Sequence, residues 1–191
     1  MRARPYSKVK GKPKIDAGSL LIAQPCWPEA IYEHSAILVL DHNMHGTTGV
    51  ILNKRSNLEV VEALPELDLT KSLYFGGSSD MKTVCYLHTL ADVPQSTHIN
   101  SNLFWGGDFE FIKDLINERR ISPDEIRFYA GMVQWTGGQL EYEIWNNKWW
   151  LGDISSEELF AISDKNLWAA KLLSAGHLYG LLQEVPDPSL N

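Results

Sequence analysis

The chain is poor in cysteine, in long apolar runs and, beyond its first residues, in positive charge. Each shortage removes a class of protein. Its 191 residues contain two cysteines, Cys26 and Cys85, far apart and in no Cys-x-x-Cys pair. Structural zinc or a disulfide framework needs more than that. Both thiols are therefore expected to be reduced, with Cys85 in the core and Cys26 more exposed in the proline-flanked loop 24–28. The longest aliphatic runs, residues 20–23 and 36–40, have four and five members, against the roughly 20 that a membrane-spanning helix requires. No apolar block follows the basic start, so a secretory signal is not expected and a cytoplasmic location is. Gly-x-Ser-x-Gly is absent, and no Lys-Ser/Thr follows Gly46-x-x-Gly49, so neither a serine elbow nor a phosphate-cradling loop is indicated. Neither cysteine has a basic neighbour to generate a thiolate. Covalent catalysis has no sequence support.

The formal charge of -7 conceals a split. Six lysines and arginines precede the first acid, Asp16, and the rest of the chain carries 11 basic against 24 acidic residues. Such a body repels nucleic-acid phosphates, and no helix-turn-helix pattern is present, which argues against direct DNA binding. Residues 1–17 read as a flexible basic tail, 18–186 as one domain and 187–191 as a short second tail. With 44% hydrophobic and 21% charged residues, the composition suits a single globular core.

Along the chain, residues 18–23 read as a buried strand. Residues 36–40 and 48–52 read as a β-hairpin with a long polar tip. Helical apolar spacing over 58–64 stops at Pro65, and strand-like runs at 72–75 and 83–87 flank Gly76-Gly77. Asp108 is placed to cap a helix with Phe109, Ile112, Leu115 and Ile116 on one side, and Ser122-Pro123-Asp124-Glu125 resembles another helix start. A strand at 126–130, a helix over 138–144 and a strand near 149–151 follow. Two serine-capped helices come next, the last ending at Gly176. Irregular alternation with at least one hairpin predicts an α+β fold: one compact domain with a mixed, largely antiparallel sheet flanked by helices.

Several blocks stand out in order. They are Gly18-Ser-Leu-Leu-Ile-Ala-Gln-Pro25; Asp41-His42 with Gly46-Thr-Thr-Gly-Val-Ile-Leu-Asn53; Phe75-Gly76-Gly77; Tyr86-Leu87-His88; and Gly131-Met-Val-Gln-Trp135-Thr-Gly-Gly-Gln139-Leu-Glu141-Tyr-Glu143. Over residues 18–178 the chain resembles the AlgH/YqgE family. The resemblance implies a compact α/β fold of bacterial cytosolic proteins with no established reaction, and a transcriptional-regulator label in one branch. Ser78-Ser79 and Met132-Val133-Gln134 depart from the family's pattern.

The candidate site residues come from these blocks. Asp41, His42 and His45 offer a carboxylate and two imidazoles, and His88 joins them only if distant strand ends converge. A metal needs more ligands, so no metal and no cofactor is assigned. Gly46 and Gly49 read as turn glycines with positive φ. Gly76-Gly77 is either a tight turn or a nest of amides suited to an anion. Gln139 and Glu143 share one side of a helix, with Glu141 about 200° away. Four of the seven tryptophans lie within residues 135–150, and Trp135 is placed at a pocket mouth.

With Asn53 and Gly138, these residues define the leading reading: a non-catalytic binding or indirect regulatory module whose groove takes a partner protein or a small anionic ligand. The alternative is a hydrolase-type enzyme with His42 or His88 as general base and Glu141 as its partner. Transcriptional regulation rests on the family label alone.

Overall fold

Runs that alternate, or that are apolar on both faces, become strands in the computed structural model, which describes residues 14–25 and 29–174. The expectations for Cys26, for a helix end at Gly176 and for the two outer ends of the chain fall outside the described residues. The first strands are β1 (Leu20–Ala23), β2 (Ala36–Asn43), β3 (Gly46–Ile51) and β4 (Arg55–Glu59), followed by the single turn α1 (Val60–Ala63). Next come β5 (Ser72–Phe75), β6 (Ser79–His88), β7 (Thr97–Asn100), β8 (Leu103–Trp105) and α2 (Phe109–Asn117). The longest strand is β9 (Ile126–Thr136), and α3 (Gln139–Trp145), β10 (Trp149–Gly152), α4 (Ser156–Ala161) and α5 (Asp164–Ser174) complete the order. None of the described helices is long and apolar enough to cross a membrane.

The sheet is ten-stranded, in the order β10-β1-β2-β3-β9-β6-β8-β7, with the β4–β5 pair attached to β9. Only β5 runs parallel to β9; every other pairing is antiparallel. This is the expected α+β arrangement. The C-terminal half of β9 pairs with β3 and its N-terminal half lies between β5 and β6. Gly76 sits where those neighbours meet: its N–H donates to Ala130 and its carbonyl accepts from Ile51, both at 2.8 Å. A Cβ there would lie 2.2 Å from the Gly131 carbonyl oxygen. The paired glycines therefore let two backbones touch, and close approach replaces both the turn and the anion nest.

Two register irregularities interrupt the sheet. In β2 the register jumps between Val39, opposite Gly49, and Asp41, opposite Thr48. One extra residue reverses the inward and outward sets. In β6 the register against β9 jumps between Ser79, opposite Met132, and Val84, opposite Ala130, beside Gly131, which has φ 72°. One face of the sheet packs Leu20, Leu38, Val50 and Tyr129 against Leu159, Leu167 and Trp168 of α4 and α5. The opposite face packs Ile37, Ile51, Val133 and Trp135 around Leu140 of α3. Farther along, Phe128 and Tyr86 meet Ile112 and Ile116 of α2.

Local signals account for several boundaries. Asp108 caps α2 by accepting from the Phe111 N–H at 3.1 Å. Ser155 and Glu158 form a capping box on α4. Elsewhere tertiary pairing overrides the expectation. The hairpin tip is short, because β2 runs on to Asn43 and β3 starts at Gly46, leaving Met44 and His45 as the turn. Residues 55–59 are a strand beside β5, so the expected helix shrinks to α1. Ser122 caps only a 3-10 turn before β9. Ile15, inside the expected tail, is buried beside Leu21 and Trp149.

Replacing Gly76 with alanine forces the backbones of β5 and β9 apart. Gly76→Ala is expected to cost roughly 1–3 kcal/mol, read as a lower urea midpoint at unchanged slope.

Candidate functional site

The β2 bulge brings His42 opposite Thr47, and Thr47 lies opposite Trp135 on β9. His42, Thr47 and Trp135 therefore share the face covered by α3. His42 Nδ1 is 2.7 Å from Thr47 Oγ1, and its Nε2 is 3.9 Å from Glu141 Oε1. The second separation is too long for a hydrogen bond. Thr47 is buried. His42 and Thr47 hold each other, and with Glu141 they form no nucleophile, base and orienting acid in reach of a reacting atom.

Helix α3 is built around Glu143. Its Oε2 accepts from Trp135 Nε1 at 3.0 Å and from Trp149 Nε1 at 2.8 Å, while Oε1 accepts from Gln139 Nε2 at 3.2 Å. The two indoles meet edge to face, 6.1 Å between centroids. Gln139 turns its amide oxygen back to the Thr136 N–H and hydroxyl, at 3.0 and 3.2 Å. It thereby serves the helix start, where Gly138 has φ 80° and no side chain to offer. Leu140 is wholly buried below. The Trp-x-x-Gly-Gln-Leu-Glu-x-Glu block is thus a structural clamp. Trp135 is 6% exposed and packs in the core, and it also lines an open hollow beside the hairpin.

Asp41 points to the other face. It accepts from Asn43 Nδ2 at 2.7 Å and borders an open hollow of about 520 Å³ with Thr48, Ser79, Gln134 and Thr136. Gly46 and Gly49 do not take positive φ. A Cβ on them would strike the Trp135 and Leu38 carbonyl oxygens, at 2.4 and 2.9 Å, so they permit close strand packing. Asn53 ties the start of β2, accepting from the Ala36 N–H and donating to the His34 carbonyl, both at 2.9 Å.

His88 does not join the group. It pairs with Ile126 at the opposite end of β9 from Trp135, about 30 Å away at strand rise. Its Nε2 is 3.0 Å from the Gly106 carbonyl, and Nδ1 accepts from the Leu90 N–H at 3.3 Å. Phe104 stacks on the ring. Accepting at Nδ1 requires the neutral imidazole, and burial holds the pKa below its ordinary value. The enzyme reading that needs His88 as a general base beside Glu141 fails on this geometry. Cys85 is also inert, its thiol pushed up to about 12 by burial. No group of three or more His, Cys, Asp or Glu side chains among the described residues is placed to hold a metal.

Residue-by-residue reading missed a second polar centre. Asp164, at the start of α5, accepts from Arg55 Nε at 2.5 Å and from Tyr74 Oη at 2.9 Å, and lies 3.2 Å from Arg127 Nη1. Asp164 and Arg55 are 109 positions apart, a distance that no local pattern bridges.

These features define a class: a single α+β protein whose most distinctive sequence block is a helix clamp, with no assembled catalytic constellation among the described residues. A profile of the AlgH-like family matches residues 20–180, and the chain belongs to that family. A UPF0301 protein from Cytophaga hutchinsonii is 36% identical over 181 residues, which are 93% of this chain and all of that one. Another, from Chlorobaculum parvum, is 36% identical, covering 93% and 96%. Among solved structures, protein DIP2367 from Corynebacterium diphtheriae is similar with a TM-score of 0.73 and 26% identity, covering 90% of this chain and 93% of its own. The AlgH protein from Pseudomonas aeruginosa, at 22% identity, shares the fold with a TM-score of 0.71 over 93% and 98%.

Two outcomes follow from the site's geometry. Glu143→Ala strands two buried indole N–H groups and should cost about 2–5 kcal/mol, whereas Glu141→Ala should stay within about 0.5 kcal/mol, both read by chemical denaturation. For His88, the unfolded chain binds the proton more readily than the fold does. Stability is complete above the ordinary histidine value of 6.5 and declines as pH falls below it toward the depressed folded value. Melting curves between pH 7.5 and 5 should show this decline in the wild type and a shallower one in His88→Gln.

Proposed function

We propose that the chain is a non-catalytic binding module that docks a partner protein on the end formed by the β2–β3 hairpin and α3. The observation that carries this reading is a pair of aromatic side chains on α3, Tyr142 and Trp145, which are 68% and 72% exposed. Three residues apart, they lie on the same side of the helix, opposite Leu140 and Ile144, which face the core. Met44, in the hairpin turn at the same end, is 86% exposed, and a Cβ on Gly137 would lie 2.5 Å from its carbonyl oxygen. Tryptophan and tyrosine dominate the energetics of protein interfaces, and adjacent exposed aromatics are uncommon unless something covers them. The Glu143 clamp supports the reading, because it holds α3 rigid and so lowers the ordering cost of docking. Glu141 borders the patch with negative charge, which suits a partner with lysine or arginine around an apolar centre. Any regulatory effect then runs through that partner, and DNA is left to other proteins.

Immobilised full-length protein should retain a partner that the double variant Tyr142→Ser/Trp145→Ser loses, at a melting temperature within about 2 °C of wild type. A control variant, Leu58→Ser/Met81→Ser, removes exposed apolar groups elsewhere and should retain the partner. Equal retention by both variants would end the proposal.

A further inference from the structure

A cavity of about 450 Å³ opens where the β4–β5 pair, the start of β9 and the α4–α5 junction meet, a volume within the range of small-molecule sites. We infer that this cavity binds a small molecule through an oxyanion, phosphate or carboxylate, held by Arg55 and Lys71. The site shares no residue with the α3 end and stands or falls independently of the docking reading.

The argument begins with charge at the cavity floor. Asp164 has a side chain 9% exposed and faces two guanidiniums, Arg55 at 2.5 Å and Arg127 at 3.2 Å. Tyr74 donates its hydroxyl to the same carboxylate, and burial raises the phenol's pKa, so it remains a neutral donor. The inner cluster therefore holds two positive charges and one negative charge. Arg127 is the fixed member: its side chain is 11% exposed, and its guanidinium lies 4.5 Å from the Tyr74 ring centre and 5.7 Å from that of Phe160. Arg55 is the available member. It bonds Asp164 through Nε, and its side chain is 61% exposed. Its two terminal nitrogens form the planar fork that matches carboxylate and phosphate oxygens.

The acids around the cavity leave this fork open. Glu59 accepts from the Glu62 backbone N–H as the cap of α1. Asp124 pairs with Lys71 at 2.5 Å, but its side chain is 84% exposed and can swing away. An entering anion can then take Lys71 in its place, while the Pro123 carbonyl continues to hold the ammonium at 3.0 Å. Across the whole lining the charges balance, so binding should be moderate and salt-sensitive.

Isothermal titration of the full chain with inorganic pyrophosphate and with malonate, at matched ionic strength, tests the site. At least one probe should bind more tightly than about 1 mM. Pyrophosphate alone points to a phosphorylated metabolite, malonate alone to a carboxylic acid, and both to oxyanion recognition without further selection. Arg55→Gln should weaken binding at least tenfold, and Arg55→Lys, which keeps the charge and loses the fork, by an intermediate factor. Lys71→Gln should weaken it several-fold, and Lys113→Gln, on α2 outside the cavity, not at all. Asp164 keeps Arg127 and Tyr74 in the Arg55 variants, so their melting temperatures should stay near wild type. If neither probe reaches that affinity, or Arg55→Gln binds as wild type does, the site does not exist.

Discussion

One carboxylate organises an end of this molecule. Glu143 takes hydrogen bonds from two core tryptophans and a third from Gln139. A buried indole N–H without a partner is costly, and a carboxylate acceptor is stronger than a neutral one. The seven-residue helix α3 is too short to be stable alone, so its place depends on this clamp and on Leu140 beneath it. The outward presentation of Tyr142 and Trp145 follows from the same contact, because fixing Glu143 and Leu140 inward leaves only one direction for the aromatic pair.

The sheet is organised around β9 in a comparable way. Three strands share its two edges, and the backbone of β5 can reach it only because Gly76 has no side chain to intervene. The bulge in β2 then assigns faces. Without the extra residue near Leu40, Asp41 would lie under α3 and His42 on the opposite side. A one-residue irregularity thus decides which chemistry meets which helix. Both the proposed docking end and the proposed oxyanion cleft lie beside β9, but at opposite ends of it, at Trp135 and at Arg127.

Much of the fold was legible. Strand runs at 20–23, 36–40, 72–75 and 149–151 appear as read, as do the caps at Asp108 and Ser155, because burial on both faces and capping hydrogen bonds are local demands. Strand β4, Arg55–Glu59, was not legible: its residues are mostly polar and it is a strand only because β5 lies beside it. The candidate site was half legible. The hairpin tip and the 135–143 block do come together, yet Gln139, Glu143, Gly46, Gly49, Gly76 and Asn53 have structural tasks, and His88 is a buried hydrogen-bonded residue far away. Residues that mark a family can mark its packing as strongly as its chemistry.

The amino-acid sequence by itself determined the α+β class, the acidic body, the family and most strand and helix positions, since these depend on composition and on interactions within a few residues. Only the tertiary structure decided that Glu143 clamps two indoles, that His42 and Asp41 face opposite ways, and that Arg55, Tyr74, Arg127 and Asp164 converge. Those outcomes depend on bulge register and on contacts between segments up to 109 positions apart, where the energy lies in burial and geometry that no local pattern encodes.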